Sequence, residues 1–398
     1  MKLKRISAIF IILPIICLNG CVDSRELNTL AITVCIGIDK VENGYLLTQQ
    51  IVNPKAIASK KATNEAPVIL YSDTGEDLFE AFRKLTVQCP RKIYASHLRM
   101  VVFGEAVAKE GLQGIIDFLA RDHEFRTDFY FIIAKDTTAN KVLSLLTPLE
   151  TIPGIALYDS LRASMAAWAP TNTIRIIELV NAIIADGKNP VLAGVEIVPS
   201  IVNSNSTDAL KKTNDIERLK YTSLGAFKED KLVGWLNEDE AKGYNYIVGN
   251  VKSTVGYANY GDDVKLTFQV TKAKSTIKAH LVNGKPAIDV QINAKQNIGA
   301  VEGDFDVSSE ENKKILNDIS EKEIKLMCMK AVNMAQNELK TDIFGFGEAI
   351  HRRYPRLWEK IKDDWDDEFV RLPVNITVKF ETDKLGQITK PFFIKEKE

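Results

Sequence analysis

The chain has 398 residues, of which 45% are hydrophobic and 26% charged, with a formal net charge of −1 at pH 7. This is ordinary globular composition, long enough for two or three domains. The charge balance lacks the basic excess typical of proteins that bind nucleic acid or an anionic membrane surface.

The first twenty residues have the pattern of an export signal. Lys2, Lys4 and Arg5 form a short cationic start, and residues 6–18 are apolar and uncharged. A membrane span needs about 20 apolar residues, whereas the hydrophobic region of a signal peptide has about 7–15. Residues 1–20 are therefore predicted to be a signal peptide.

Cys21 follows this segment directly, and Leu18-Asn19-Gly20-Cys21 is similar to the lipobox of bacterial lipoproteins. Asn19 departs from the usual small or apolar residue of that motif. The alternative is an ordinary signal peptide with a cysteine there by chance. The similarity predicts an S-diacylglyceryl group on Cys21, with N-palmitoylation open at the same residue. Two acyl chains hold a protein on a membrane, whereas one does so only marginally.

Three cysteines, Cys35, Cys89 and Cys328, remain in the body of the exported chain. They are scattered and odd in number, which does not indicate a disulfide framework. We interpret them as small buried hydrophobes, with one bridge left open. Removing the three signal cations from the 52 basic residues leaves 49 against 53 acidic ones, a formal charge of −4.

The first third of the chain predicts strands followed by a βαβ unit. Residues 27–39 alternate with period two, which indicates a strand with one buried face, and Asn43-Gly44 predicts a hairpin turn into residues 45–52. Residues 54–67 suggest an exposed loop, and Ser72-Asp73-Thr74 a helix start. Residues 97–103 and 129–134 predict strands on either side of a helix.

The middle of the chain predicts two helices and a hairpin. Apolar residues at helical spacing mark the two helices, the second through Ile177, Val180 and Ile184. Residues 191–198 predict a strand, and residues 200–215 a polar loop. Residues 221–227 and 232–236 flank a hairpin turn, after which Asn237 resembles the cap of a short helix.

The last third predicts a sheet with long helices beside it. Residues 264–270 alternate cleanly, and Asn283-Gly284 marks another hairpin. A long helix is predicted over about residues 308–340, a further one over about 355–369, and a closing strand over 374–380. Strands grouped apart from long helices favour α+β modules over one doubly wound sheet.

No motif of a known active site stands out in the sequence. None of the four histidines pairs with another at metal-ligand spacing. The acidic run KDDWDDEF, residues 362–369, fits a solvated helix face better than a cation site. The segment ARDHEFRTD, residues 120–128, fits a polar helix end better than a catalytic cluster. We therefore predict no catalytic residue, cofactor or metal, and no nucleic-acid partner.

Four segments of the sequence follow one family pattern. After the lipobox, the matching residues are Cys21, Asp23, Arg25, Glu26, Leu27 and Asn28, with Val22 in place of the usual tryptophan. The first strand LAITVCIGID matches as well. The central block matches through His97, Gly104, Arg121 and Arg126. The C-terminal block matches through Phe344, Gly345, Gly347, Tyr354, Pro355, Trp358 and Trp365. Together these segments resemble the Ger(x)C lipoproteins, which are the C subunits of GerA-type spore germinant receptors.

The resemblance implies a protein that is not an enzyme and that forms a receptor with two integral-membrane subunits in the inner membrane of the dormant spore. It implies a lipid anchor on the outer face of that membrane. It also implies three α+β domains, each a mostly antiparallel or mixed sheet with helices packed beside it. Local pattern places their boundaries at 21–145, 146–252 and 253–398.

Three functional hypotheses follow from the sequence and the resemblance. The chain is a structural and interaction subunit that assembles with and couples the two embedded subunits. Alternatively, it binds a small-molecule germinant directly, although a two-lobed pattern of alternating strands and helices is not evident. The third hypothesis, an enzyme acting on the cell wall, lacks a visible pair of catalytic acids or a metal triad.

Overall fold

A computed structural model describes residues 26, 29–58, 65–200, 202–211, 215–261 and 263–384. The fold is α+β with mixed sheets, as predicted. The strands of these ranges, in chain order, are β1 Leu30–Val41, β2 Gly44–Val52, β3 Val68–Gly75, β4 Lys92–Tyr94, β5 Met100–Gly104, β6 Tyr130–Ala134, β7 Val191–Val198, β8 Arg218–Lys228, β9 Lys231–Leu236, β10 Thr254–Tyr260, β11 Val264–Val282, β12 Lys285–Glu302 and β13 Val374–Lys384.

The helices pack beside these strands. In chain order they are α1 Pro54–Ala58, α2 Leu78–Gln88, α3 Glu105–Glu110, α4 Gln113–Arg121, α5 Ala139–Ser144, α6 Pro153–Ala167, α7 Ile176–Ile184, α8 Glu238–Val248, α9 Glu310–Asn333, α10 Phe346–Arg353, α11 Pro355–Ile361 and α12 Trp365–Val370. Short 3₁₀ turns lie at Ala209–Lys211 and Lys362–Asp364, and a π-helical turn, Met334–Leu339, extends α9.

The larger sheet has nine strands in the order β3-β2-β1-β5-β6-β7-β8-β9, with β4 beside β1. Its centre is parallel, because β5 pairs with β1 and β6, and β6 pairs with β7. Its outer pairs are antiparallel, including the predicted β1–β2 and β8–β9 hairpins. Non-local pairing of this kind fixes which strands are central, and central strands are buried on both faces.

The smaller sheet has the order β10-β11-β12-β13. The predicted hairpin joins β11 to β12, and the closing strand β13 pairs parallel to β12. Helix α9 packs across β13, and on β11 the residues Leu266, Phe268 and Val270 point into the core. Polar residues alternate with them on the other face, as expected for a sheet covered on one side.

One apolar core joins the two sheets. It contains Ile132 of β6 and Leu224 of β8, and it continues through Tyr246 of α8 to Val290 of β12 and Phe380 of β13. A second core fills the opposite face of the larger sheet, under α2, α4 and α7. The larger sheet crosses residue 145 without a break, because β6 and β7 pair directly. The domain boundaries at 145 and 252 stay a prediction.

Four local predictions were wrong. Strand β1 is buried on both faces rather than one, because β2 and β5 flank it and helices cover both sides. Ser72-Asp73-Thr74 lies inside β3, which pairs with β2, and α2 begins later, with Asp77 as its cap. The segment 54–67 includes the short helix α1 as well as exposed chain.

The fourth wrong prediction concerns α7, because two of the three residues of its predicted apolar stripe are exposed. Ile176 and Leu179 are buried, whereas Ile177 and Ile184 are exposed. Seven of the nine residues of this helix are apolar, so its periodicity could not identify the buried face. Elsewhere the helix predictions are confirmed, including the cap at Asn237, whose side chain accepts a hydrogen bond from the Glu240 backbone N–H at 3.0 Å.

Candidate functional site

The predicted lipidation residue, Cys21, lies outside the described residues. The other three cysteines of the exported chain, Cys35, Cys89 and Cys328, are buried free thiols, which confirms their interpretation as small hydrophobes. Burial raises the pKa of Cys35 and of Cys328 well above that of an exposed thiol. Little thiolate therefore forms at either residue, and neither is a nucleophile at neutral pH.

The described part of the chain holds no group of three or more His, Cys, Asp or Glu side chains that could bind a metal ion. In the acidic run, Asp363, Asp364 and Asp367 are exposed, and Asp366 lies 2.5 Å from the Lys228 ammonium. Trp365 points inward between them. The run is a solvated helix face, and Lys362 and Glu368 at its two ends also form ion pairs with Glu359 and Arg371. This agrees with the interpretation favoured from the sequence.

The polar segment 120–128 ends α4 and connects it to β6. Arg121 pairs with Asp117 one turn earlier at 2.8 Å, and Asp122 accepts the Glu124 backbone N–H at 2.8 Å. The Glu124 carboxylate in turn lies 2.8 Å from Lys92. These groups satisfy one another and the local backbone, and they do not form a nucleophile with its base.

A buried carboxylate, Asp39, joins β1 to helix α5. Its two oxygens accept the backbone N–H groups of Ala139 and Asn140, each at 2.8 Å, at the helix N-terminus. Burial raises the pKa of Asp39, and these two hydrogen bonds oppose the rise. Gly104 packs against it, because a Cβ there would lie 2.3 Å from the Asp39 Oδ1. The carboxylate thus holds one helix in place on the sheet.

A second buried carboxylate, Asp342, organises the C-terminal block that the sequence singled out. Its Oδ1 accepts the backbone N–H groups of Phe344 and Gly345, both at 3.0 Å, and its Oδ2 accepts that of Gly347 at 2.8 Å. Burial raises its pKa to about 6, although the N–H donors favour the charged form. Helix α10 begins here, with Gly345 at φ +80° directly before it.

This block forms a joint with the loop that leads into β7. The backbone N–H of Asn189 donates to the Asp342 carbonyl at 2.7 Å. Gly187 has φ +80°, and a Cβ on it would lie 2.7 Å from both the Gly347 Cα and the Trp358 ring. The two glycines therefore allow the larger sheet and the C-terminal helices to touch backbone to backbone.

Two partly open hollows lie near these features. A polar one of about 240 Å³ adjoins the joint and is lined by Asp186, Lys188 and Lys362 among others. A more apolar one of about 280 Å³ lies under the loop at Leu145 and Leu149. Each is at or below the small end of typical ligand sites, which occupy about 300–1,000 Å³.

The joint and the Asp39 cap were not predicted as functional features. Gly104, Gly345 and Gly347 were noted in the sequence, but the carboxylates that they surround are single aspartates without a motif. The only local signal was an aspartate placed directly before a glycine-rich turn or after an apolar strand. The arrangement positions backbone segments, and it offers no reacting group within the described residues.

Two family models together match most of the chain. The model described as "Spore germination protein N-terminal domain" matches residues 23–197, and "Spore germination B3/ GerAC like, C-terminal" matches residues 222–386. The first includes the Asp39 cap, and the second includes Asp342 and the C-terminal helices.

Curated relatives are similar over nearly their whole length. The chain is 32% identical to spore germination protein KC of Bacillus subtilis (strain 168), covering 98% of this chain and 97% of that protein. It is 23% identical to spore germination protein B3 of the same organism, over 97% of this chain and 99% of that protein. The crystal structure of the GerBC protein superposes with a TM-score of 0.56, at 22% identity, over 87% of this chain and 96% of that one.

Proposed function

The chain belongs to the spore germination B3/GerAC-like family of germinant receptor C subunits, and from this premise we propose that it anchors to a membrane and assembles with two embedded subunits of a nutrient germinant receptor. Its role is to hold and couple those subunits during spore germination. Three parts of this proposal are separable, namely the anchor, the assembly and the absence of a catalytic role.

The observation that carries the proposal is that two buried aspartates hold separate parts of this fold together. Asp39 and Asp342 are both surrounded by backbone N–H donors, and each fixes a helix to its neighbours. The two sheets also share one core. A core shared by both sheets suits a subunit that acts through contact with its partners.

The anchor is proposed at Cys21, on the outer face of the spore inner membrane. Every helix within the described ranges is too short or too polar to cross a bilayer. A diacylated cysteine would supply two chains, which is enough for stable attachment. Cys21→Ala should abolish incorporation of labelled fatty acid and release the protein from the membrane. Cys17→Ala is the matched control, because it removes a thiol from the same segment and should leave labelling intact. Labelling that persists in Cys21→Ala refutes the anchor.

The assembly is tested in spores that lack related subunits. Deleting the chain should abolish both the nutrient response and the stable presence of the two embedded subunits. Pull-down of the tagged chain from detergent-solubilised spore membranes should recover both of them. Normal germination without the chain, or a pull-down without either subunit, would contradict this part of the proposal.

Direct binding of a germinant is the second candidate. The observation in its favour is the hollow of about 280 Å³ under Leu145 and Leu149. Calorimetry of the purified chain with a panel of amino acids, sugars and nucleosides tests it. A heat of binding that disappears when Ala156→Trp fills the hollow would support direct binding of a germinant. The absence of any heat across the panel would contradict it.

Catalysis is not part of the proposal, because the family is one of receptor subunits. A residual hypothesis, hydrolysis of the cell wall, is tested by incubating the purified chain with purified spore cortex. Release of soluble fragments above a buffer control would overturn the non-catalytic assignment.

A further inference from the structure

An open groove of about 690 Å³ lies between α2 and α4, away from the joint. Its apolar lining includes Tyr45, Leu78, Phe79, Ile115 and Phe118. Leu78 and Ile115 are buried and form part of the core beneath, whereas Phe79 is 52% exposed. A half-exposed phenylalanine beside an apolar groove is uncommon on a surface that faces only water.

A chain of aromatic rings connects this surface to the core. The ring of Phe79 meets that of Phe118 at 6.3 Å, and Phe118 meets Phe125 at 5.8 Å. Phe125 in turn meets Phe82 at 6.0 Å. These edge-on contacts hold the exposed ring on a rigid base, because the inner rings are buried. Rigid aromatic anchors of this kind commonly carry most of the binding energy of an interface.

The rim of the groove is acidic. Four carboxylates line it, from Glu76, Asp77, Asp117 and Asp122, against two guanidinium groups. Arg121 is already held by Asp117 at 2.8 Å, and Arg83 lies over the Phe79 ring at 4.8 Å from its centre. A surplus of negative charge remains around the apolar floor. It would repel an anionic lipid surface and attract a cationic segment.

We propose that this groove binds a polypeptide segment of an embedded receptor subunit that is apolar at its centre and flanked by lysine or arginine. The inference rests on the proposed assembly and names the surface that performs it. The apolar centre packs on Phe79 and Phe118, and the flanking cations meet the carboxylates of the rim. A second copy of this chain fits less well, because two acidic rims would face each other.

The first test places a photo-crosslinking residue in the groove of the full chain, in spores that carry the whole receptor. Phe79→p-benzoylphenylalanine keeps an aromatic ring at the position. Val87→p-benzoylphenylalanine is the matched control, since Val87 lies on the same helix, is 88% exposed and is outside the groove. We expect a crosslink from position 79 alone, to a segment of an embedded subunit with apolar residues between basic ones. A crosslink to lipid, to a second copy of the chain, from both positions equally, or none at all would overturn the proposal.

The second test measures assembly. Phe79→Asp should lower recovery of the embedded subunits about tenfold at equal levels of the chain, which corresponds to one aromatic anchor lost. Val87→Asp adds the same charge on the same helix and should leave recovery unchanged. If Phe79→Asp lowers the level of the chain, Glu76→Lys replaces it as the test, because it changes an exposed residue of the rim. Glu76→Lys should lower recovery of the embedded subunits about threefold at an unchanged level of the chain.

The two proposals fail in different ways. If the unaltered chain does not recover the embedded subunits, the proposed assembly itself is wrong. If it recovers them and the groove variants do so equally well, only the docking surface is wrong.

Discussion

The two sheets of the molecule bury their strands differently. In the nine-stranded sheet, consecutive residues of β6 enter opposite cores, with Ile132 in the core shared by both sheets and Ile133 in the core under α2, α4 and α7. In the four-stranded sheet, Ile292 of β12 is buried and Asn293 beside it is exposed. The contrast shows that the alternation of apolar and polar residues along a strand depends on whether one or both faces of its sheet are covered. A strand covered on both faces loses this alternation.

The largest effect should come from β6. Ile132→Ala and Ile133→Ala should each lower the free energy of unfolding by about 2–5 kcal/mol, since each removes methyl groups from a closed core. Urea unfolding of the purified chain gives the two values. A cost below about 1 kcal/mol for either variant would mean that one face of this sheet is not tightly packed.

The next effect concerns Asp342, in the joint between the C-terminal block and the loop that leads into β7. Its folded pKa of about 6 lies above that of an unfolded aspartate, about 3.9, so the folded chain takes up this proton first as the pH falls. Stability from this group is therefore full below about pH 4 and is lost as the pH rises through about 6. The difference in unfolding free energy between the unaltered chain and Asp342→Asn should be about 1–3 kcal/mol larger at pH 4 than at pH 7.

Asp363→Asn, a change at an exposed residue, is the control for that measurement. The difference in unfolding free energy between the unaltered chain and this variant should be the same at pH 4 and at pH 7. A flat difference for Asp342→Asn as well would show that its folded pKa is ordinary.

A smaller effect is expected at Gly187. Gly187→Ala places a Cβ 2.7 Å from the Gly347 Cα at a φ of +80°, so the joint must open. We expect a loss of about 1–3 kcal/mol. Gly114→Ala is the matched control, because a Cβ there meets nothing within 4 Å and alanine favours its helix. If Gly187→Ala separates unfolding into two transitions, the sheets are two cooperative units that the joint couples.

The smallest effect belongs to the open face of the four-stranded sheet. Asn293→Ala should change the free energy of unfolding by less than about 0.5 kcal/mol, whereas Ile292→Ala should cost about 2–5 kcal/mol. Thermal unfolding of the pair measures the contrast. Equal costs would indicate that something covers the outer face of β12.

Sequence pattern predicted the elements whose cause is local. The hairpin turns at Gly44 and Gly284, the cap at Asn237 and the buried βαβ unit all appear where their residues indicated. Each depends on chemistry within a few residues, such as a glycine at positive φ or a side chain that accepts a backbone N–H.

Features that depend on distant pairing could not be predicted in this way. Strand β3 exists because β2 offers it a partner, and its polar Ser72-Asp73-Thr74 imitated a cap. The inward side of α7 was ambiguous because both of its sides are apolar. Asp342 looked like an ordinary loop residue, since only the folded chain surrounds it with N–H donors.

The position of β1 has a mechanical consequence. The strand nearest the N-terminus lies in the interior of the larger sheet, between β2 and β5, rather than at its edge. If a lipid on Cys21 holds the chain, a pull on that tether reaches β1 first among the described strands, and a pull along this strand is resisted on both sides. Such a force must shear the hydrogen bonds to both neighbours at once, whereas an edge strand could be peeled away one bond at a time. The tether would then pull on one of the most firmly held strands of the sheet, and displacement of the embedded partners would move the body as a whole.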